Sequence, residues 1–478
     1  MTWPAIVALV LIAICLVPRS PLPLLYLSFI LSTITTLSLN PIEGGTNILP
    51  GTVCAAFFVC KIVLAGDRLP KAVDAAIEPA KLNILFVFLA YALFTAYVLP
   101  RLFARMVEVV PLNPNSNWPV ALMPISANYS QSAYLTLSVG VALAFYLQGE
   151  NSSFRRHFIQ AVLVGGLSLI VTGIADFTLT ALGDTDLLEP FRNAKYSLLT
   201  NAEVEGDKRI VGLMPEASAF GSSCVASVAT LAFLRPCLEN RWLRNLLAPL
   251  TIFGLVAMAV GSLSSTAYGG LGVFGAAYAA NWLRRALSPD APAREALKWE
   301  AIAVVAAVVI LLAIVALAPD LMKPIYERLD ALIFKKSEST SFDDRTRFTK
   351  TALNAFFATD GLGVGFGSVM TSNWFVAILS STGIFGAVLL FIFILRLYIL
   401  RCRSADPRAR EFAMGLKFAL VPYFAMQAAV GTTPDIGVPA ASAMGLLASL
   451  TSTDEKSSLG RVAAGGWPIR ARNRPSSS

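Results

Sequence analysis

The chain should fold as an all-α, polytopic integral membrane protein of about thirteen transmembrane helices (twelve to fourteen), with two long loops on the outer side. Three observations predict this. Apolar residues make up 56% of the 478 and charged residues 14%, with a mean hydropathy of +0.66, where soluble domains carry about 25% charge. The apolar residues gather into runs long enough to cross a bilayer, which takes ~20 residues. The basic residues crowd the short connections on one side, as the positive-inside rule requires.

In order, the candidate spans run roughly over 3–18, 21–39, 49–66, 83–100, 130–148, 158–182, 217–235, 245–262, 265–282, 300–318, 374–395, 412–430 and 435–451. No basic region precedes the first apolar run, so it reads as a retained span rather than a cleaved signal peptide. Arg19, Arg68, Lys71, Lys81, Arg155, Arg156, Arg235, Arg241, Arg244, Arg284, Arg285, Arg401, Arg403, Arg408 and Arg410 all fall on one side. The short loops near 40–48, 264 and 431–434 on the other side hold no Lys or Arg. This places the N-terminus outside and the C-terminus in the cytoplasm.

The chain divides into an N-terminal bundle (1–182), a first long outer loop (183–216), central helices (217–318), a second long outer loop (319–373), C-terminal helices (374–451) and a basic tail (452–478) whose composition predicts disorder. Long loops translocate whatever their charge, and loops of this length are usually functional. The outer segment 109–129 is rich in Pro and Asn and carries no evident chemistry.

A net charge of +8 does not indicate nucleic-acid binding, because the cations sit between spans. Cys15, Cys54, Cys60, Cys224, Cys237 and Cys402 have neither zinc-site spacing nor the look of a disulfide framework. His157, the only histidine, lies on the cytoplasmic side, which excludes a Ser/His/Asp triad or a histidine metal site on the outer face.

Four stretches could carry chemistry. In the second loop, Ser341 and Asp344 have the spacing of a capping box, and Phe348, Ala352 and Phe356 form one apolar stripe of a helix that would lie on the membrane or on the bundle. Arg345, Arg347 and Lys350 point elsewhere. They are either a solvated basic face or phosphate ligands, since an arginine fork binds two phosphate oxygens at once. The run Gly361, Gly363, Gly365 and Gly367 is a turn returning the chain to the membrane; it is not a dinucleotide fingerprint.

In the first loop, Arg209–Gly221 reads RIVGLMPEASAFG at the mouth of a span. There Glu216, beside Leu213 and Phe220, is either a desolvated general base with a raised pKa or an acid favoured by a helix N-terminus. Arg192, Lys195 and Arg209 share that loop. Asp184 and Asp186 form an Asp-x-Asp pair, a short pattern that either holds a divalent cation or recurs by chance. Asp176, inside a span near its outer end, is a functional acid or a hydrogen-bond donor and acceptor to a neighbouring helix.

The order arginine helix, GxGxG turn, Asn373-Trp374, then Thr-Gly-Ile-Phe-Gly entering a span resembles the O-antigen polymerase/ligase family. Pro215, Glu216 and Ser218 match the Pro-Glu-x-Ser signature of exopolysaccharide and O-antigen polymerases. The resemblance covers roughly 185–400. It implies a membrane glycosyltransferase in the bacterial inner membrane that polymerises undecaprenyl-diphosphate-linked glycans on the periplasmic face. It also implies a chain-length regulator and a flippase as partners, no cofactor and no metal.

By that resemblance Arg345 opens the phosphate-binding helix. Arg192, Arg209, Arg347 and Lys350 would join it on the diphosphate, with Glu216 and Asp176 as candidate catalytic acids. Ligases of the family carry a catalytic histidine where this chain has Ser372-Asn373-Trp374, and an amide does not titrate. Polymerase is therefore favoured over ligase or protein glycan transferase. A transporter, the reading from another class, would place charges at mid-span, where this chain has almost none.

Overall fold

The computed structural model describes residues 31–38, 47–112, 117–183, 185–194, 198–200, 203–204, 207–287, 340–402 and 404–451, with isolated positions at 6, 22, 25–27, 297–298, 300–302 and 305. Helices dominate: α1 (Pro50–Val63), α2 (Arg68–Ile77), α3 (Asn83–Leu102), α4 (Ser126–Gln148), α5 (Ser152–Ala181), α6 (Ala217–Leu234), α7 (Ala248–Gly261), α8 (Ser265–Ala286), α9 (Thr340–Ala358), α10 (Trp374–Ile399), α11 (Pro407–Val430) and α12 (Val438–Thr451). Three antiparallel two-residue hairpins decorate them: β1 (Leu37–Ser38) with β2 (Asn47–Ile48), β3 (Glu108–Val109) with β4 (Val120–Ala121), and β5 (Glu203–Val204) with β6 (Asp207–Lys208).

Among the described residues seven helices are long and apolar enough to span a membrane: 83–102, 126–148, 152–181, 217–237, 243–261, 374–399 and 407–430. Three others expected as spans take a different form. α1 and α12 have 14 residues each, shorter than a bilayer requires. In α12 every residue except Pro439 is buried, and Gly445 packs against the Ala142 backbone of α4. A helix enclosed by other helices needs no lipid-crossing length, and its small residues permit the close approach. α8 is long, but Tyr268, Asn281, Arg284 and Arg285 leave it less apolar than the seven.

Spans 3–18 and 300–318 fall mostly outside the described residues, as does the start of 21–39. The end of that last span is corrected: 31–38 is a turn leading into β1, not a helix. α2, which lay inside an expected loop, is ten residues with Ala72 and Ala75 buried on one side and Leu69, Val73 and Ile77 exposed on another.

Helix starts follow local chemistry. The Asn151 side chain accepts from the Ser153 and Phe154 amides to open α5, and Asp406 accepts from the Arg408 amide ahead of Pro407 to open α11. His157 therefore stands in the second turn of α5 rather than in a loop, and it is exposed.

The basic loops meet at one end of the bundle. Arg155 pairs with Asp406 at 3.2 Å, Arg284 with Glu411 at 3.4 Å, and Glu239 takes both Arg156 and Arg408. The described parts of the two long loops come close at Arg209 and Arg345. The core between the ends is one cluster that includes Phe58, Phe88, Phe145, Phe158, Phe220, Phe393 and Phe412.

α9 packs on the protein through its apolar side. Its Ala352 and Ala355 pack with Val107, Val109 and Leu122 of the β3–β4 segment and with Val364 and Val369. The segment to which the sequence assigned no chemistry is thus the platform for the arginine helix. The glycine run that follows plugs a break in α10. Gly383 adopts φ 65° inside that helix, and the freed carbonyls of Ser380 and Ser381 accept from the Val364 and Gly365 amides at 2.8 and 3.1 Å. At Gly363 (φ 85°) a Cβ would stand 2.7 Å from the Gly383 nitrogen, so only glycine fits.

A candidate active-site cavity

A cavity of about 930 Å³ opens at the end where the long loops meet. Its walls come from one face each of α4, α5, α6 and α11, the start of α12, and the loops ending at Glu216 and running from Gly431 to Gly437. Phe348 of α9 and Met370 roof it. Apolar residues of α5 and α11 (Phe158, Val162, Leu169, Leu416, Leu420) face Ser218, Ser222, Ser223, Ser227 and Thr230 of α6. Their three- and four-residue spacing puts these hydroxyls on one side of that helix. The space is amphipathic and large enough for a ligand with both apolar and hydroxylated parts.

Glu216 sits at its mouth as the residue before α6, half-buried, and Ser218 donates a hydrogen bond to its Oε1. The Leu199 amide donates to the Pro215 carbonyl at 2.8 Å and holds this corner against the first loop. Arg209 is half-buried, with Nε donating to the Ser262 carbonyl at 3.1 Å. Burial lowers its pKa, the Glu216 carboxylate opposes that shift, and Arg345 adds to it. Arg209 therefore stands within electrostatic range of Glu216, in its own loop, and of Arg345, in the other.

Arg345 is half-buried on α9, with one long contact of 3.5 Å from Nη1 to the Ala429 carbonyl and no carboxylate partner among the described residues. Arg347 differs. It pairs with Asp344 at 2.6 Å and its guanidinium lies 4.3 Å over the Trp118 ring, so it fastens α9 to the platform. Lys350 is exposed and does not line the cavity. The expected basic cluster thus resolves into one available arginine, one anchoring arginine and one exposed lysine.

Asp176 and Arg192 do not join the cavity wall. Asp176 is 1% exposed; its Oδ1 takes Arg192 at 2.8 Å and Lys208 at 3.4 Å, and its Oδ2 accepts from the Val211 and Gly212 amides at 2.8 and 3.0 Å. A carboxylate bound on both oxygens by two cations and two amides has no lone pair facing a substrate, so its place is a structural one. Arg192 uses one terminal nitrogen for both Asp176 and the Gly212 carbonyl, and its buried Nε has no partner among the described residues. Asp184, Lys195 and the Asp186 side chain lie outside the described residues, and among those described no cluster of His, Cys, Asp or Glu fits a metal ion.

Asn373 caps α10 by accepting from the Phe375 and Val376 amides at 3.0 and 3.3 Å. None of the glycines 361–367 lines the cavity.

One acid at the site was missed by the sequence analysis. Asp435, in the loop between α11 and α12, faces the cavity and is otherwise enclosed by protein. Burial raises its pKa to about 6 against the hydrogen bonds from Ser138 and from the Gly437 and Ile436 amides. The available signal was an acid in a short outer loop without Lys or Arg, where nothing supplies a countercharge.

Comparison of the chain with protein-family models and with curated proteins gives no match.

Proposed function

We propose that the chain is a membrane glycosyltransferase that polymerises lipid-diphosphate-linked oligosaccharide units on the periplasmic face of the bacterial inner membrane. One observation carries this reading: Glu216 lines a single amphipathic cavity, and Arg209 stands within electrostatic range of both Glu216 and Arg345, although neither arginine lines the cavity itself. A group able to take a proton then faces the cavity, with two cations able to hold a diphosphate near it.

The acceptor hydroxyl attacks the anomeric carbon, the bond from that carbon to the diphosphate oxygen breaks, and Glu216 takes the hydroxyl proton. Negative charge grows on the departing lipid diphosphate. Arg345, without a carboxylate partner among the described residues, stabilises it, and Arg209 adds to the field. The apolar wall of α5 and α11 suits the start of a lipid chain, and the hydroxyls of α6 suit sugar. Asn373 as a helix cap, with no titrating group in its place, favours polymerase over ligase.

The test uses purified protein in nanodiscs with a lipid-diphosphate-linked repeat unit. A ladder of lengthened glycans with stoichiometric release of lipid diphosphate is expected. Unaltered substrate that merely changes leaflet in proteoliposomes would make the protein a transporter.

A further inference from the structure

Asp435 is built into its position. Ser138 of α4 donates to both carboxylate oxygens at 3.0 and 3.3 Å, and the Gly437 amide donates to Oδ2 at 3.0 Å. The loop around it is pinned: Trp374 Nε1 donates to the Asp435 carbonyl at 2.7 Å, Tyr423 to the Ile436 carbonyl at 3.2 Å, and Thr371 to the Gly431 carbonyl at 3.1 Å. A carboxylate offers about four acceptor positions, and the protein donors do not use them all. Among the described residues no cation pairs with it. Its titratable neighbours are Tyr134 of α4 and Tyr423 of α11, and Glu216 is the other acid on the cavity lining. Gln131 and Gln427 line the same cavity, and the side-chain oxygen of Gln131 is buried with no partner among the described residues.

We propose that Asp435, with Gln131 and Gln427, forms a saccharide-binding subsite in the cavity that holds neutral sugar hydroxyls while the diphosphate lies at the arginines. The proposal deepens the glycosyltransferase reading and rests on it for the direction in which the substrate lies. A lipid tail at this place would leave the Gln131 oxygen and the remaining acceptor positions of Asp435 unsatisfied in an apolar setting, at a cost of about 1–3 kcal/mol for each unmade bond. A metal ion would require further acidic ligands, which the described residues do not supply. Hydroxyl groups match both a carboxylate that only accepts and amides that donate and accept.

Dicyclohexylcarbodiimide, which reacts with protonated carboxyl groups in apolar surroundings, reads the site without any need for activity. In nanodiscs the wild-type protein should carry the adduct on Asp435, located by peptide mass spectrometry. Labelling should be strong on the acid side of pH 6 and fall on the alkaline side, and Asp435→Asn should lose that adduct. Farnesyl-diphosphate-linked disaccharide should protect Asp435 several-fold, and farnesyl diphosphate without sugar should not. Equal protection by both compounds, protection by neither, or no adduct at any pH each overturns the subsite. Because the adduct is mapped on wild-type protein, a variant that fails to fold does not affect the result. Protection in a protein that performs no transfer leaves the subsite standing and ends the glycosyltransferase reading, whereas transfer without protection ends the subsite alone.

Discussion

Asp176 and Arg192 stand 16 positions apart in the chain and 2.8 Å apart in space, one inside α5 and the other in the first long loop. The pair is buried, and Lys208 and the amides of Val211 and Gly212 complete the cage. It ties the loop to the helix immediately before the Pro215-Glu216 corner, so an intramembrane acid that reads as a catalytic candidate positions the cavity mouth instead.

Asp176→Asn should therefore destabilise the protein. Breaking a buried ion pair leaves Arg192 uncompensated and costs ~3–5 kcal/mol. Thermal unfolding in detergent should fall by several degrees, and the 183–215 loop should become open to proteases. A variant as stable as wild type yet inactive would return Asp176 to the catalytic list.

Arg345 and Arg347 should separate by assay. Losing a charged donor that stabilises a leaving group costs ~3 kcal/mol, about a hundredfold in rate, so Arg345→Ala should give short glycans at normal membrane levels. Arg345→Lys should be nearly as impaired, because an ammonium cannot form the two-pronged contact. Arg347→Ala removes the Asp344 pair and the stack on Trp118, worth ~1–2 kcal/mol, and should lower stability more than turnover. Equal rate losses at both positions would mean a diffuse basic patch.

The helices were legible because ~20 apolar residues in a row have few alternatives in a bilayer. Length alone did not foresee that α12 is enclosed, since its burial depends on neighbours far away in sequence. The sequence marked the Gly361–Gly367 turn but not its socket, since the break at Gly383 exists only where the two segments meet. Arg345 and Glu216 were singled out through local pattern and resemblance, and of the two only Glu216 lines the cavity. Asp435 was not singled out, because one acid between two apolar runs becomes a half-buried, cavity-facing carboxylate only after Ser138 bonds its side chain and Trp374 its backbone carbonyl. The occupancy of Arg192 and Asp176 was hidden for the same reason: a sequence shows a charge without showing its partner.

Glu216→Gln keeps size and removes the titrating group. The Ser218 contact survives in altered form, so the protein should reach the membrane normally. Turnover should fall on the order of 10²–10⁴-fold, as expected for losing a general base, with KM little changed, and cells should make mostly single repeat units. Normal chain lengths would reduce Glu216 to an acid at a helix start.

Asp435 should leave its mark on stability as a function of pH. Its folded pKa of about 6 lies above the ordinary 3.8, so between those values the folded protein holds a proton that the unfolded chain has released. The folded state is then favoured at the acid end, and its stability should decline as pH rises through that window and level off above it. A shift of about two units corresponds to a change on the order of 3 kcal/mol at most. Asp435→Asn cannot ionise, so it should lose this slope and be more stable than wild type above pH 6, even where it binds saccharide less well. Unfolding by sodium dodecyl sulfate in mixed micelles, followed across that range, makes the comparison directly. Parallel profiles for the two proteins would show that Asp435 is solvated in the folded state and would remove the reason for its raised pKa.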